Sequence, residues 1–397
     1  MRKILKKVVG RIMNKRVISK GNLIKETNYK RILQLIGKGQ NLTKLDIAYT
    51  LKISIPTVTT NINELKQEGI IEEVESDIYT GGRKPKVIKI IPNSRISIGM
   101  SVSKYKVVVV FTNLIEEILL VKEVGCEGGE LEEYIASGKQ LIMEGLDELK
   151  IEKDAILGVG ISIPGAINQK LNVIEQTNMG YRQISLEHIY DLFDSTVYIE
   201  NEANLSLLAE KSLGKHEELK NLLYIGINEG LGGGIFVNGE LFTGTSGRAG
   251  EFGHMHFRER ETGLRTLVED KISTRSLVQD YVDKTGNEIK DFSKFKELVK
   301  LKDEVAVKIL IEAIEVLLMT IYNLTMVLDI QKIIVGGKVG RLIKSEPEYL
   351  DDLLEKYQDI LGNLDLDIHF SDIKNTTSIG AALLPIIDFY KIYNEAE

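Results

Sequence analysis

EGLGGGIFVNGELFTGTSGRAGEFGHM, residues 229–255, is the stretch on which the reading of the fold turns. Gly230, Gly232, Gly233 and Gly234 carry no Cβ, so a ligand phosphate or another strand can come close to this backbone. Taken alone, the same glycines fit a plain hairpin equally well. Outward from them, runs rich in β-branched residues alternate with helical ones: ISIGMSV at 96–102, KVVVVFTN at 106–113, AILGVGISIPG at 155–165, VYIENEAN at 197–204, LLYIGINEGLGGGIFVNG at 222–239 and KIIVGGKVG at 332–340. This alternation, with glycine turns at strand ends, predicts an α/β architecture.

A chain of 397 residues exceeds one ordinary core, and 43% hydrophobic with 27% charged residues describes a folded protein of two or three units. The most apolar stretch, from Val305 to Ile330, is interrupted by Lys308, Glu312, Glu315 and Asp329, so it predicts a buried or interface helix and no membrane partner. MRKILKKVVGRIMNKRV at the start has too many cations for a secretory apolar core, which gives a cytoplasmic expectation. Cys126 is the one cysteine, excluding an intrachain disulfide and any multi-cysteine zinc site.

Charge divides the chain in two. Residues 1–92 hold 19 Lys and Arg against 8 Asp and Glu, a balance of +11, which leaves −18 for the remainder of a chain whose net charge is −7. A basic end suits a phosphate backbone and an acidic body repels one. The basic end also carries a motif. YKRILQLIGKG, from Tyr29, predicts a first helix that stops at Gly37 and Gly39. Thr43 caps a second, with Leu42, Leu45, Ile47, Ala48 and Leu51 as its apolar positions. After a turn at Ile53, Ser54 is the N-cap of IPTVTTNINELKQEG, with Pro56 in the first turn and Gly69 as the stop.

In that third helix Ile55, Val58, Ile62 and Leu65 form the expected core stripe. Thr57, Thr59, Thr60, Asn61 and Asn63 are expected on the opposite face, where a recognition helix meets base edges and phosphates, with Lys66 at its end. IIEEVESDIYTGGRKPKVIKIIP then reads as two strands joined at Gly81 and Gly82, a wing whose basic tip includes Arg83 and Lys84. The expected DNA-binding set is therefore Thr43, Ser54, Pro56, Thr57, Thr59, Thr60, Asn61, Asn63, Lys66, Arg83 and Lys84.

Five motifs occur in one order: ISIPGAIN at 161–168, IENEANLSLLAE at 199–210, the glycine-rich stretch at 229–255, IIVGGKVG at 333–340 and SIGAALL at 378–384. Together they resemble the ROK family of sugar kinases and repressors, and AGEFGHM is the most specific piece. A winged helix placed before such a domain is the arrangement of the family's repressors, including the xylose-repressor branch. The resemblance implies an α/β fold, an N-terminal winged helix-turn-helix followed by a two-lobed actin-like (ribonuclease H-like) sugar-kinase domain. The expected boundaries are a basic arm at 1–24, the winged helix at 25–92 and the ROK domain at 93–397, its lobes near 93–202 plus the C-terminal helix and 203–380.

Departures from the family separate repressor from kinase. Ser101-Val102-Ser103-Lys104-Tyr105 stands where ROK kinases carry Asp-x-Gly-Gly-Thr, so the acidic metal partner and both glycines are missing. Asn228-Glu229 replaces Gly-Thr in the second phosphate turn, and the Glu-Asn-Asp of the catalytic base reads Glu200-Asn201-Glu202. The zinc knuckle keeps His254, but MHFRERETGLRTLVE contains no cysteine. His256 leaves a two-histidine site without a third ligand.

What the resemblance does carry over is a sugar-binding set, Asn178, Asn201, Glu202, Glu251, His254 and Glu269, whose amide, carboxylate and imidazole groups suit the paired hydrogen bonds of a polyol. The expectation is thus a homodimeric repressor of sugar-utilisation genes, with no catalytic residues, no metal and no cofactor. Its partners would be double-stranded operator DNA and a small sugar effector, xylose or another monosaccharide, bound between the lobes. Two rival readings stand beside it: an ATP-dependent hexose kinase, and a DNA-binding protein whose sugar cleft is a relic.

Overall fold

The computed structural model describes residues 20–39, 41–75, 84–126, 128–168, 171–176, 179–214, 216, 218–258, 263 and 265–391. These fall into two compact units. One takes the described residues up to Ile161 together with Glu187–Ile199 and the chain from Ala381 onward, and the other takes Ser162–Leu186 and Glu200–Gly380.

The first unit opens with three helices, α1 (Lys20–Gly37), α2 (Lys44–Leu51) and α3 (Ile55–Gln67), followed by the antiparallel pair β1 (Ile71–Glu75) and β2 (Lys86–Ile90). Helix α1 begins at Lys20, several residues before the periodic stretch from Tyr29, and so takes in part of the expected arm. Thr43 caps α2 in a capping box, its hydroxyl accepting from the Asp46 amide at 3.2 Å while the Asp46 carboxylate accepts from the Thr43 amide at 2.8 Å. Lys52 ends that helix in the left-handed region at φ 55° and turns the chain toward α3. Leu42 adds a bridge to Ile88, so the wing is anchored to the segment before α2.

Next come β3 (Ile96–Ser103), β4 (Lys106–Asn113), β5 (Ile118–Gly125), α4 (Leu131–Leu149) and β6 (Ile156–Ser162). β7 (Ile167–Asn168), β8 (Val173–Gln176) and β9 (Arg182–Ser185) form a small antiparallel sheet of the second unit, before α5 (Leu186–Asp191) and β10 (Val197–Glu200). β10, β6, β3, β4 and β5 lie side by side in that order in one sheet. Gly138 and Gly145, seven residues apart on α4, let the helix settle onto the sheet: a Cβ at Gly138 would overlap Met100 and crowd Val107, and one at Gly145 would overlap Phe111.

The second unit continues through α6 (Glu202–Leu213), β11 (Leu222–Ile227), β12 (Leu231–Val237), β13 (Glu240–Leu241), β14 (His256–Arg258), β15 (Arg265–Leu267), α7 (Glu269–Ile272), α8 (Thr274–Thr285), α9 (Phe292–Lys300), α10 (Glu304–Leu328), β16 (Lys332–Gly336), α11 (Gly337–Ser345), α12 (Pro347–Lys356), α13 (Gln358–Leu361), β17 (Asp367–Phe370) and α14 (Thr376–Tyr390). Its sheet runs β13, β12, β11, β16, β17, with the last three strands parallel. Both faces are covered, as parallel pairing demands. Leu223, Ile225, Ile333 and Val335 join the core made with α8 to α10, whereas Leu222, Tyr224 and Ile334 alternate onto the other face against Leu207 of α6. The Val305–Ile330 stretch is mostly α10, with Ala306, Ile309, Leu310, Ala313, Ile314, Leu317, Leu318 and Ile321 buried. No described helix is long and apolar enough to cross a membrane.

Candidate functional site

The winged helix is built around Ile32, Leu33 and Ile36 of α1, Ile47 and Ala48 of α2, and Val58, Ile62 and Leu65 of α3. Leu114, Leu157, Phe389 and Tyr390 pack into the same cluster, so these three helices share a core with the first unit's own sheet and with the end of α14. Lys30 donates to the Phe389 carbonyl at 2.7 Å, and Arg95 donates to the Glu68 carbonyl at 3.2 Å.

The sequence reading of α3 needs two corrections. Ile55, expected in the core, is 49% exposed, and Asn61, expected on the outer face, is 2% exposed. The helical repeat explains the exchange: Val58, Asn61, Ile62 and Leu65 make one continuous buried stripe, and Ile55 at the first helical position falls at its margin. Asn61 tolerates burial by donating to the Thr57 carbonyl at 2.8 Å. Leu45, also expected inside, is 64% exposed on α2.

The hydroxyls of this face differ in availability. Ser54 caps α3 by accepting from the Thr57 amide at 3.2 Å and bonds the Thr57 hydroxyl at 2.8 Å. Thr60 donates back to the Pro56 carbonyl at 3.0 Å, and the Thr43 hydroxyl is held by Asp46 at 2.7 Å. Among the described residues, Thr59 and Asn63 keep their polar side-chain atoms unengaged. Lys66 stands 3.7 Å from Glu73, whose carboxyl is held below its ordinary range first by a hydrogen bond from Lys44. Lys84 is exposed, and Arg83 lies outside the described residues.

In the second unit, the N-terminus of α6 gathers one group of sugar candidates. The Asn201 side chain caps the helix by accepting from the Asn204 amide at 2.8 Å. Glu200 accepts from the Asn201 amide at 2.9 Å and from the Asn204 carboxamide at 3.0 Å, and burial pushes its carboxyl pKa up. Glu202, at the first helical position, has its pKa raised by burial to about 7.

A second group sits on the AGEFGHM turn. Gly250 adopts φ 96° and lies so close to the Gly233 carbonyl that a Cβ there would be 2.1 Å from it. Phe252 is buried against Gly233 of β12, which fixes the short turn Phe252–His254 between Glu251 and β14. Burial raises the Glu251 pKa, with nearby His254 opposing and Glu269 reinforcing the shift. His254 Nε2 is 3.8 Å from Glu269, and the Leu231 amide lies 3.5 Å from the other Glu269 oxygen. Glu251, His254 and Glu269 are therefore brought together. Among the described residues no hydrogen bond or ion pair joins them to Asn201 or Glu202, and Asn178 lies outside the described residues.

Three further residues border this second group. Glu175 accepts from Asn168 at 2.7 Å and from Arg248 at 2.6 Å, and these bonds, Asn168 first, hold its carboxyl below the usual range. Sequence reading passed over Glu175 and Arg248, although Asn168 closes the ISIPGAIN motif and Arg248 directly precedes AGEFGHM. Among the described residues no group of three or more His, Cys, Asp or Glu is arranged to hold a metal ion.

The two stretches that the resemblance sets against phosphate turns form bonds of their own. Asn228 accepts from the Lys338 amide at 2.9 Å, and Lys338 pairs with Glu229 at 3.2 Å. In the first unit Ser103 pairs with Lys106 across a two-residue β3–β4 turn, donating to its carbonyl at 2.8 Å, with Lys104 and Tyr105 at the tip.

Comparison with known proteins adds the following. The ROK family model matches residues 98–384, and a winged helix-turn-helix DNA-binding model matches 27–72. A putative xylose repressor of Caldicellulosiruptor sp. is 30% identical over 236 residues, 59% of each chain, so the match spans about three fifths of that relative's length. The xylose repressor of Staphylococcus xylosus is 26% identical over 91% of this chain and 95% of that one. A beta-glucoside kinase of Listeria monocytogenes is 29% identical over 67% of this chain and 89% of the kinase. Among solved structures, a ROK family transcriptional regulator described as a homologue of the E. coli MLC protein superposes with a TM-score of 0.75 at 19% identity, covering 93% of this chain and 97% of that one.

Proposed function

We propose, from the premise that the chain belongs to the ROK family and carries a winged helix-turn-helix ahead of the family domain, that it is a sugar-responsive repressor that binds operator DNA and transfers no phosphoryl group. The observation that carries this reading is the joining of α3 to the sheet of the first unit through one shared hydrophobic core. A reading helix built in this way follows the first unit, so a sugar whose binding biases that unit biases the helix.

Two winged helices of a homodimer would meet a pseudo-palindromic site, with Lys66, Lys84 and Arg83 on phosphates and α3 in the major groove. The sugar would be held in the second unit by Glu251, His254 and Glu269, with Asn178, Asn201 and Glu202 as the remaining members of the set. Xylose is the first effector to test, because the repressors similar to this chain are named for it. Coupling between the two ligands would amount to about 1–3 kcal/mol.

Absence of kinase chemistry is supported by three features. Ser101 stands where the family's kinases carry an acidic metal partner, Ser103 and Lys104 replace the two glycines of the β3–β4 turn, and Glu229, paired with Lys338, adds a negative charge to the second turn. The reading is tested by fluorescence anisotropy of duplexes from upstream of the protein's own gene, with and without a monosaccharide panel. Specific binding released by one sugar is expected, and uniform non-specific binding would overturn the proposal. An ADP-release assay over the same sugars is expected to stay at background.

A further inference from the structure

We propose that Ile55 reads a thymine methyl group in the major groove of the operator, an assignment that rests on the operator-binding function proposed above. Ile55 begins α3 and is half in water, a large aliphatic side chain on a face shared with Thr59, Thr60 and Asn63. Ile55 and Thr59 are one turn apart and so lie on the same side of the helix. The exchange with Asn61 sharpens the point, since the helix buries an amide while leaving a large aliphatic side chain outside. An exposed aliphatic group of this size contributes when a partner takes it out of water.

The chemistry around Ile55 favours a partner that is apolar. Residues 53–65 contain neither Lys nor Arg, so the first two turns of α3 hold no cation to pair with guanine O6 and N7. Ser54 and the Thr57 hydroxyl bond each other, and the Thr60 hydroxyl is spent on Pro56. Among the described residues of this part of the helix, Thr59 and Asn63 have no side-chain hydrogen bond, and Ile55 is the large aliphatic side chain left exposed. Asn suits the N6 and N7 edge of adenine, and the C5-methyl of thymine is the apolar group that a base pair displays in the major groove. Ile55 has no polar atom to satisfy, so the methyl is its match. Lys52 and Lys66, at the two ends of the helix, remain for phosphates.

The test uses the full chain and two changes that each remove one half of the contact. A duplex is first selected from a random library, and every thymine of its half-site is replaced in turn by deoxyuridine, which lacks only the methyl. At one position the replacement is expected to weaken wild-type binding about fourfold, the effect of one methyl group left in water. Ile55→Ala is expected to bind the unmodified duplex correspondingly less tightly and to lose the discrimination at that position alone, and Ile55→Val to retain part of it. If a duplex is selected but wild type and Ile55→Ala respond alike to deoxyuridine at every position, Ile55 does not read a methyl and the operator-binding function stands without it. If no duplex is selected, the operator-binding reading falls and takes this contact with it.

Discussion

Helices α3 and α6 begin alike, each with an uncharged polar cap, Ser54 and Asn201, that accepts a backbone amide of the first turn, yet their surroundings are opposite. Along α3 the polar groups of Thr59 and Asn63 stay on a surface flanked by lysines. Around the start of α6, Glu200, Asn201 and Asn204 are buried and the Glu202 carboxyl is pushed up to about 7. Hydrated groups facing a polyanion respond to salt, because binding releases counterions. Enclosed carboxyls, suited to an uncharged polyol, respond to pH, because burial disfavours their ionised form. The two sites should therefore be separable by the variable that controls each.

The largest expected effect tests whether the ends are separable at all. Gly250→Ala forces a Cβ against the Gly233 carbonyl at a left-handed φ, and should lower unfolding free energy by about 3 kcal/mol or more. In the folded fraction, calorimetric sugar affinity should drop by an order of magnitude or more while sugar-free DNA affinity stays within about threefold. Equal loss of both would show that the AGEFGHM turn and the reading helix are one cooperative element.

Next in size is the pH response of Glu202. Its folded pKa of about 7 lies above the ordinary 4.5 of a glutamate, so between those pH values the folded chain keeps a proton that the unfolded chain has lost. Stability is then highest below 4.5, falls as pH rises through the window and levels off above 7, by about 3 kcal/mol in all. Denaturant melts from pH 4.5 to 8 should show this slope in the wild type and a flatter profile in Glu202→Gln. An unchanged profile would mean that the carboxyl is solvated.

Salt should act on the other end. Lys66→Ala and Lys84→Ala should each reduce the slope of log affinity for DNA against log salt by about 1, if each meets one phosphate. Sugar affinity should scarcely change across the same titration. Smallest of all, Asn61→Leu replaces a buried amide by an apolar group of similar size, and should leave stability within about 1 kcal/mol of wild type with little change in DNA affinity. A tenfold loss of DNA affinity would return Asn61 to the reading face.

Much of the architecture was legible along the chain. Thr43 and Ser54 announced the starts of α2 and α3 because capping is a local event within three or four residues, and both side chains cap as expected. Strand runs such as KVVVVFTN and KIIVG lie where β4 and β16 form, since period and β-branching are also local properties. The margin of a helical stripe was not legible. Ile55 and Asn61 exchanged roles because a modest rotation of α3 about its axis decides which residue at the edge of the stripe is covered. Leu45 was misplaced for the same reason.

The candidate sugar site divides in the same manner. Its motifs named Glu251, His254 and Glu269 from residue type and order, and these side chains do lie together. Glu175 and Arg248 carry no local signature, because 73 residues separate the partners of their ion pair. By itself the amino-acid sequence determined the capping, the strand periods, the charge division between the two ends and the family motifs, all set by near neighbours. Tertiary structure alone decided which side chains face water, which carboxyls are enclosed and how the reading helices share a core with the first sheet, because burial is a property of packing between segments distant along the chain.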